Sequence, residues 1–288
     1  MGKCFSSICN FLINNNEQQY TILKTYKQND YKFIYLTIDK KTNLKYIVKK
    51  NKKKSFYNEI YILNKICKLK NKHIVNFYKN PDINNYLIFF EYAYYGDLFE
   101  IYTKNKNISM TTSINIFRII INTLYIVNNK YKISHRDIKL ENIVLDHNGI
   151  IKIIDWGSSG ADNISKIKVG TVNYRAPELI NNCNYIGQFI DVWACGVLLF
   201  VMICGILPMT ENKKCRWRYN IYNYNWKIYW PNIEKYIDNN ISINFKKIIE
   251  QMLYYDLNKR ITLEKINNNS WINHLLLNNL EIKKNLIS

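Results

Sequence analysis

The sequence predicts an α+β protein of two lobes, a small β-rich one with a single helix and a larger, mainly helical one. Three observations predict it. Residues 20–48 read as strands, broken by turn signals at Gln28-Asn29-Asp30 and Thr42-Asn43. Residues 56–69 read as a helix, because Ile60, Leu63, Ile66 and Cys67 recur at three- and four-residue steps. After Gly96 the pattern is mainly helical, with short strands about a polar loop at residues 135–142.

The elements follow in order. Residues 1–19 form a polar, Asn-rich tail. The strands of residues 20–48 and the helix of residues 56–69 are followed by two more strands, at residues 74–78 and 86–92, with Asn80-Pro81-Asp82 between them. This places the small lobe at about residues 20–95 and the large lobe at about residues 96–275. Residues 276–288 read as a terminal helix and tail. The chain has 288 residues, 48% of them apolar, which suffices for one large core. It shows no internal repeat and no second domain.

A net charge of +19 needs a cause. Lys, Asn, Ile and Tyr are all encoded by AT-rich codons, so base composition accounts for much of it. The functional alternative is attraction to an acidic membrane face or acidic substrates. Lys49, Lys50, Lys52, Lys53 and Lys54, then Lys65, Lys68, Lys70 and Lys72, concentrate the charge in one region. No motif supports nucleic-acid binding, and none is expected. The seven cysteines are odd in number and show no C-x-x-C spacing, which argues for a reducing compartment over a disulfide framework or zinc site.

Met1-Gly2-Lys3-Cys4-Phe5-Ser6 fits the M-G-x-x-x-[ST] pattern of N-myristoylation at Gly2. One myristoyl chain binds membranes only marginally. Cys4 (or Cys9) is placed to carry a second acyl chain, and the basic surface adds attraction. The expected location is therefore the cytoplasmic side of a membrane, with a cytosolic pool. Residues 192–209 carry no charge and reach transmembrane length. They open with Asp191-Val192-Trp193-Ala194-Cys195-Gly196, and a core helix explains an all-apolar surface equally well.

The chemistry lies in three short motifs. His135-Arg136-Asp137-Ile138-Lys139-Leu140-Glu141-Asn142 is followed thirteen residues later by Asp155-Trp156-Gly157, and then by Ala176-Pro177-Glu178. In order and at compatible spacing, they resemble the catalytic loop, metal-binding loop and activation-segment end of eukaryotic protein kinases. The resemblance covers about residues 20–275 and implies the bilobal protein-kinase fold.

It also implies roles. Asp137 would orient the substrate hydroxyl, Lys139 would neutralise the transferring phosphoryl group, and Asn142 and Asp155 would hold Mg²⁺ or Mn²⁺. Lys at position 139 is the serine/threonine pattern. Lys49, in Tyr46-Ile47-Val48-Lys49, would touch the ATP phosphates and pair with Glu59. The two are only ten residues apart, so the helix carrying Glu59 is expected to sit differently from the family norm. Phe90 would guard the back of the adenine pocket, with Glu91, Tyr92 and Ala93 as the hinge. Ile34, Ile47 and Val144 would sandwich the ring, and Asp97 would meet the ribose and at times a substrate Arg.

The phosphate-covering loop departs from the family. Aligned on Ile34-Tyr35-Leu36, its three glycines fall at Lys27, Asn29 and Lys32. Without glycine the backbone cannot approach phosphates as closely, and charge from Lys27 and Lys32 is the expected substitute. Trp156 stands where Phe is commoner and should pack with His135, Leu63 and Phe77. Arg136 would meet an activation-loop phosphate, yet the usual phosphosite positions hold Lys166 and Ile167. Ser165 is the nearest hydroxyl, so activity independent of loop phosphorylation is expected. Thr171 should bond Asp137, Glu178 should pair with Arg260, and Asp191 should brace the catalytic loop.

The resemblance points to a monomeric, ATP-dependent Ser/Thr protein kinase acting on protein hydroxyls, with a non-catalytic pseudokinase scaffold as the alternative. Gly205-Ile206-Leu207-Pro208 and Asp256-Leu257-Asn258-Lys259-Arg260 look most like the calcium/calmodulin-dependent or SNF-like branch. A kinase of small molecules or lipids is disfavoured, because residues 170–178 resemble a shelf for protein substrates.

Overall fold

The structure is a computed structural model. It describes residues 20–28, 32–78, 82–105, 108–181, 183–209, 225–274 and 276–287. Gly2, Cys4 and Asn29 lie outside them, as do the side chains of Lys27 and Lys32.

The small lobe is an antiparallel sheet in the order β1-β2-β3-β4, formed by Tyr20–Gln28, Lys32–Asp39, Lys45–Asn51 and Leu87–Glu91. Period-two alternation gives the sheet two faces. On β3, Tyr46 and Val48 face an aromatic cluster in which Tyr46 meets Tyr78 at 4.7 Å and Tyr20 meets Phe89 at 5.2 Å. Ile47, Lys49 and Asn51 face the other way, toward helix α1, Lys53–Ile66. Phe56, Ile62, Leu63 and Ile66 bury the inner side of α1.

Residues 74–78 are not a strand. Ile74 bridges to Ile153 and Phe77 to Phe90 as single pairs. The backbone bonds change partner along the segment: Val75 N donates to Ile153 O, and Tyr78 N to Phe89 O. No ladder can extend when the partner changes every few residues, so the segment ties the lobes together rather than widening the sheet.

The large lobe is built on two long helices, α3 (Met110–Tyr131) and α5 (Gly187–Cys204). Both are long and apolar enough to cross a membrane, but each is mostly buried within the protein. Fourteen of the eighteen α5 residues are buried, among them Trp193, Leu198 and Phe200. Burial on nearly all sides explains the charge-free run of residues 192–209 without lipid.

Around this pair stand α2 (Leu98–Lys104), α4 (Pro177–Ile180), α6 (Trp226–Ile237), α7 (Ile243–Met252) and α8 (Leu263–Asn267). Among the described residues, six short strands complete the lobe. β5 (Ile133–Ser134) pairs with β8 (Gly160–Ala161), β6 (Ile143–Leu145) with β7 (Ile151–Ile153), and β9 (Ile164–Ser165) with β10 (Tyr185–Ile186).

The expected C-terminal tail is instead docked. Helix α9, Asn279–Ile287, buries Ile282 and Leu286. Leu277 N donates to Asn115 Oδ1 at 2.9 Å, and Asn285 Nδ2 to Thr112 Oγ1 at 3.0 Å, both on α3. The large lobe therefore runs on to residue 287. The terminal helix is expected, but its docking rests on partners 162 and 173 residues away, which no local pattern announces.

Candidate active site

Lys49 and Glu59 meet at the junction of β3 and α1. Lys49 Nζ lies 2.6 Å from Glu59 Oε1 and 2.7 Å from Asp155 Oδ1. The ten-residue link leaves the pair closed. Asn51 ends the strand, Lys52 is extended, and α1 begins at Lys53. Asn51 Nδ2 also donates to Glu59 Oε2 at 2.8 Å. Burial alone would lower the Lys49 pKa, but Asp155 and Glu59 together outweigh it and raise it. The amine is thus a fixed cation facing the metal-loop carboxylate.

The catalytic loop is held from below by α5. Asp191 accepts from His135 N at 2.7 Å and from Arg136 N at 2.6 Å. Burial depresses the pKa of His135 and so favours its neutral ring. Its Nε2 lies 2.9 Å from Ile154 O, and Asp137 N donates to its Nδ1 at 3.3 Å. The hydrogen therefore sits on Nε2. The ring packs edge-on against Trp156, 4.7 Å away, and the buried indole N–H donates to Ile153 O at 3.3 Å.

Asp137 is oriented at both oxygens. Oδ1 accepts from Thr171 N at 2.9 Å and from Thr171 Oγ1 at 2.8 Å. Oδ2 lies 3.4 Å from Lys139 Nζ and 3.2 Å from Asn142 Nδ2. Lys139 Nζ in turn donates to Thr171 Oγ1 at 2.6 Å. One hydroxyl thus locks carboxylate and ammonium together. A phosphate on Thr171 would set like charges side by side.

Arg136 and Asp155 both adopt the left-handed backbone conformation, with φ of 65° and 60°. Such strain at non-glycine residues concentrates at functional sites. The residues predicted to enclose the adenine lie on β2, β3, β4 and β6. Phe90 and Val144 are buried, Ile34 and Ile47 half-buried, and Ile47 pairs with Phe90 across β3 and β4. Ala93 follows β4 in the connection to α2, where its carbonyl accepts from Gly96 N. Glu178 and Arg260 form a two-armed buried pair at 2.7 and 3.0 Å.

Two of the predicted residues also have structural partners. Arg136 directs Nε to Ser158 O at 2.7 Å, which fixes the plane of its guanidinium. Asp97 is an N-cap: its Oδ1 accepts from Glu100 N at 2.9 Å, and burial raises its pKa. A Ser/Thr/Asp/Asn cap satisfies an amide the helix cannot.

This geometry has counterparts in known sequences. The profile of the protein kinase domain matches residues 24–272. The chain belongs to the protein kinase family. Its relatives are of the serine/threonine, SNF-like kind. It is 30% identical over 231 residues to the carbon catabolite-derepressing protein kinase of Secale cereale, covering 76% of this chain and 42% of the relative. It is 30% identical over 218 residues to the SNF1-like protein kinase ssp2 of Schizosaccharomyces pombe, covering 71% and 34%. It is 37% identical over 131 residues to CBL-interacting protein kinase 31 of Oryza sativa subsp. japonica, covering 43% and 29%. The chain thus spans less than half the length of these relatives.

Protein kinases use ATP and Mg²⁺ as a family property. The kinase's own residues fit that ion, which takes hard oxygen ligands. Asn142 commits its Nδ2 to Asp137 O at 2.7 Å, which turns its amide oxygen away from Asp137. Ile154 N donates to Asn142 O at 2.9 Å, bringing the Asp155 carboxylate alongside. An amide oxygen and a carboxylate oxygen would hold the metal together with phosphate oxygens.

Three supporting residues escaped the sequence reading. Asn51 shares the β3 face with Lys49, and that two-residue spacing was its signal. Lys152 is a lone cation in the apolar run Ile150-Ile151-Lys152-Ile153-Ile154. It is buried, and its Nζ lies 2.9 Å from Glu91 Oε1, which also accepts from Asn76 N at 2.7 Å. The hinge acid is thereby anchored to both lobes. The third is Asp162.

Asp191 yields a pH prediction. Burial, its largest influence, outweighs the two backbone donors and pushes its pKa up to about 7. The unfolded chain releases that proton near pH 4. Between those values the folded form binds more protons, so stability falls as pH rises and levels off above about 7. Thermal denaturation from pH 4.5 to 8 should show this decline in wild type and lose a large part of it in Asp191→Asn. Parallel curves would contradict it.

Proposed function

We propose that this chain is a serine/threonine protein kinase that transfers the γ-phosphoryl group of ATP to protein hydroxyls. The observation that carries the reading is Asp137, held between Thr171, Lys139 and Asn142. These are not contacts that the fold requires. They aim a carboxylate and an ammonium at one point in the cleft.

Phosphoryl transfer needs positioning and charge more than covalent help. Asp137 would accept the hydrogen bond of the incoming hydroxyl and orient its lone pair. Lys139, 2.6 Å from the Thr171 hydroxyl, would meet the charge that develops on the transferring group. Lys49, fixed by Glu59, would contact the α- and β-phosphates. Asn142 and Asp155 would hold the metal, which when bound neutralises phosphate charge. Ile34, Ile47, Phe90 and Val144 would enclose the adenine, with Glu91 and Ala93 at the hinge. Residues 170–178, pinned by Glu178 and Arg260, would carry the protein substrate.

The test is transfer from labelled ATP, with Mg²⁺ or Mn²⁺, to basic and acidic protein substrates, read by phosphoamino-acid analysis. Label on serine or threonine supports the reading. A folded protein that binds nucleotide and transfers nothing favours the second reading, a pseudokinase scaffold. The glycine-free stretch with Lys27, Asn29 and Lys32 specifically favours that alternative, because a backbone without glycine cradles phosphates less closely.

The proposal extends to location. Gly2, Cys4 and a net charge of +19 together support acylation and attachment to the cytoplasmic side of an anionic membrane, with a cytosolic pool. Gly2→Ala should move the kinase from the membrane to the soluble fraction on sedimentation of a cell lysate. A variant that stays with the membrane would remove acylation at Gly2 as the anchor.

A further inference from the structure

We propose that Asp162 is a positioning residue that anchors the activation segment and the strand entering the catalytic loop, doing with a built-in carboxylate what phosphorylation of the segment would otherwise do. The inference rests on the kinase reading above.

Asp162 lies seven residues beyond Asp155, just after β8. Its carboxylate is the meeting point of three elements. Oδ2 accepts from Asn128 Nδ2 at 3.0 Å, near the end of α3. Oδ1 accepts from Ser134 Oγ at 3.1 Å, on β5, and from Gln188 N at 2.6 Å, in the first turn of α5. Its backbone N donates to Lys132 O at 2.6 Å. Asn128 and Ser134 are themselves buried, and Asn128 Nδ2 lies 3.3 Å from Ser134 Oγ.

Each partner matters for a different reason. Helix α5 begins with no side-chain cap of its own and no acid in its first turn. An anion from another segment therefore satisfies an orphan amide and complements the helix dipole. Ser134 directly precedes His135, Arg136 and Asp137, so the bond to its hydroxyl reaches the catalytic loop within three residues. On the far side, Asp191 from the same helix holds the amides of His135 and Arg136. The loop is gripped between two carboxylates, one from α5 itself and one from the activation segment.

The surroundings are shaped for this cluster. A Cβ at Gly187 would fall 2.6 Å from Ser134 Cβ and 3.2 Å from Asp162 Oδ1. A Cβ at Gly160 would strike the Arg136 guanidinium. That guanidinium already donates to Ser158 O. Farther along, Ser165 pairs with Tyr185, and Tyr185 OH donates to Ile167 O at 2.7 Å. Thr171 then reaches Asp137. Contacts at Ser158, Asp162, Ser165, Ile167 and Thr171 thus hold the segment. Phosphorylation orders such segments by supplying an anion that accepts several hydrogen bonds, and Asp162 already is such an anion.

The experiment uses the full chain, treated with phosphatase and verified by mass as unphosphorylated. Wild type and Ser165→Ala should keep their kcat after this treatment. Asp162→Ala should lose kcat by about 10- to 100-fold, because misplacing reacting groups by up to about 1 Å costs as much as 10²-fold. Its affinity for ATP, measured directly by calorimetry, should hold, since Asp162 contacts none of the ATP-facing residues. Asp162→Asn, the same size with one acceptor oxygen fewer, should fall between, and serves if Asp162→Ala does not fold.

Hydrogen exchange provides an activity-free readout. Amides of residues 160–167 should exchange about tenfold faster in Asp162→Asn, with the α3 and α5 cores unchanged, as local opening predicts. Loss of wild-type kcat on dephosphorylation would overturn the proposal. So would unchanged kcat and exchange in the variants. If wild type transfers no phosphate in any state, the kinase reading falls, and exchange alone decides whether Asp162 is the anchor.

Discussion

Asp137→Asn should reduce phosphate transfer by about three orders of magnitude, within the 10²- to 10⁴-fold range of a positioned general base. The change is small in volume and severe in chemistry. In the native site both carboxylate oxygens accept, Oδ1 from Thr171 and Oδ2 beside Lys139 and Asn142. An asparagine has one acceptor end. Its amide hydrogens would face either the Thr171 amide or the Lys139 ammonium, and both are donors. The incoming hydroxyl would lose its orienting partner, and Lys139 would lose the charge that steadies it. ATP binding should change little, because Asp137 is not among the residues expected to contact ATP or its metal. Melting temperature should also change little, because Asp137 is only partly buried. The measurements are initial rates over a range of ATP concentrations, direct nucleotide titration, and thermal melting. A variant that keeps more than about a tenth of wild-type kcat would remove Asp137 from the chemistry, since that loss lies below what general-base catalysis supplies.

The catalytic cluster was legible in the sequence because its members are close together in the chain. Asp137, Lys139 and Asn142 lie within one turn-like loop, and their spacing states which side chains can converge. Lys49 was legible because strand alternation sets its face, and Glu59 because the period of α1 places it inward. The same logic explains what was missed. Asp162 joins Asn128, Ser134 and Gln188, separated from it by 34, 28 and 26 residues. Nothing local distinguishes it from any polar residue in a loop.

Lys152 joins Glu91 across 61 residues, and only its isolation among isoleucines hinted at a buried partner. The apolar run of residues 74–78 looked like a strand because apolarity reports burial, whereas a strand requires one neighbour along its length. The tight link between Lys49 and Glu59 was expected to shift α1. A helix that starts two residues after the strand, with Asn51 bonding to Glu59, keeps the pair closed across that link.

The second large effect is expected at Glu178 and Arg260. Arg260 is nearly inaccessible and makes two bonds to Glu178, with further bonds to Phe189 O and Tyr254 O. Its guanidinium carbon also lies 5.0 Å from the centre of the Trp193 ring. Arg260→Ala would leave the Glu178 carboxylate buried with no cation, and such losses cost about 3–5 kcal/mol. For a chain of this size, that corresponds to a fall of roughly 10 °C in apparent melting temperature. The two residues are 82 apart in sequence, and Glu178 sits in the first turn of α4, at the end of the activation segment.

The pair therefore does two things that a double variant can separate. Glu178→Leu with Arg260→Met removes both charges and fills similar volume, a change that often restores the stability of a broken buried pair. It does not restore a directional, two-armed hold on the backbone leading back to Thr171. Melting temperature should recover toward wild type, while KM for protein substrate stays raised and kcat stays low. Recovery of both together would mean that the ion pair contributes stability alone. Recovery of stability without activity would mean that it sets the substrate shelf in register with Asp137.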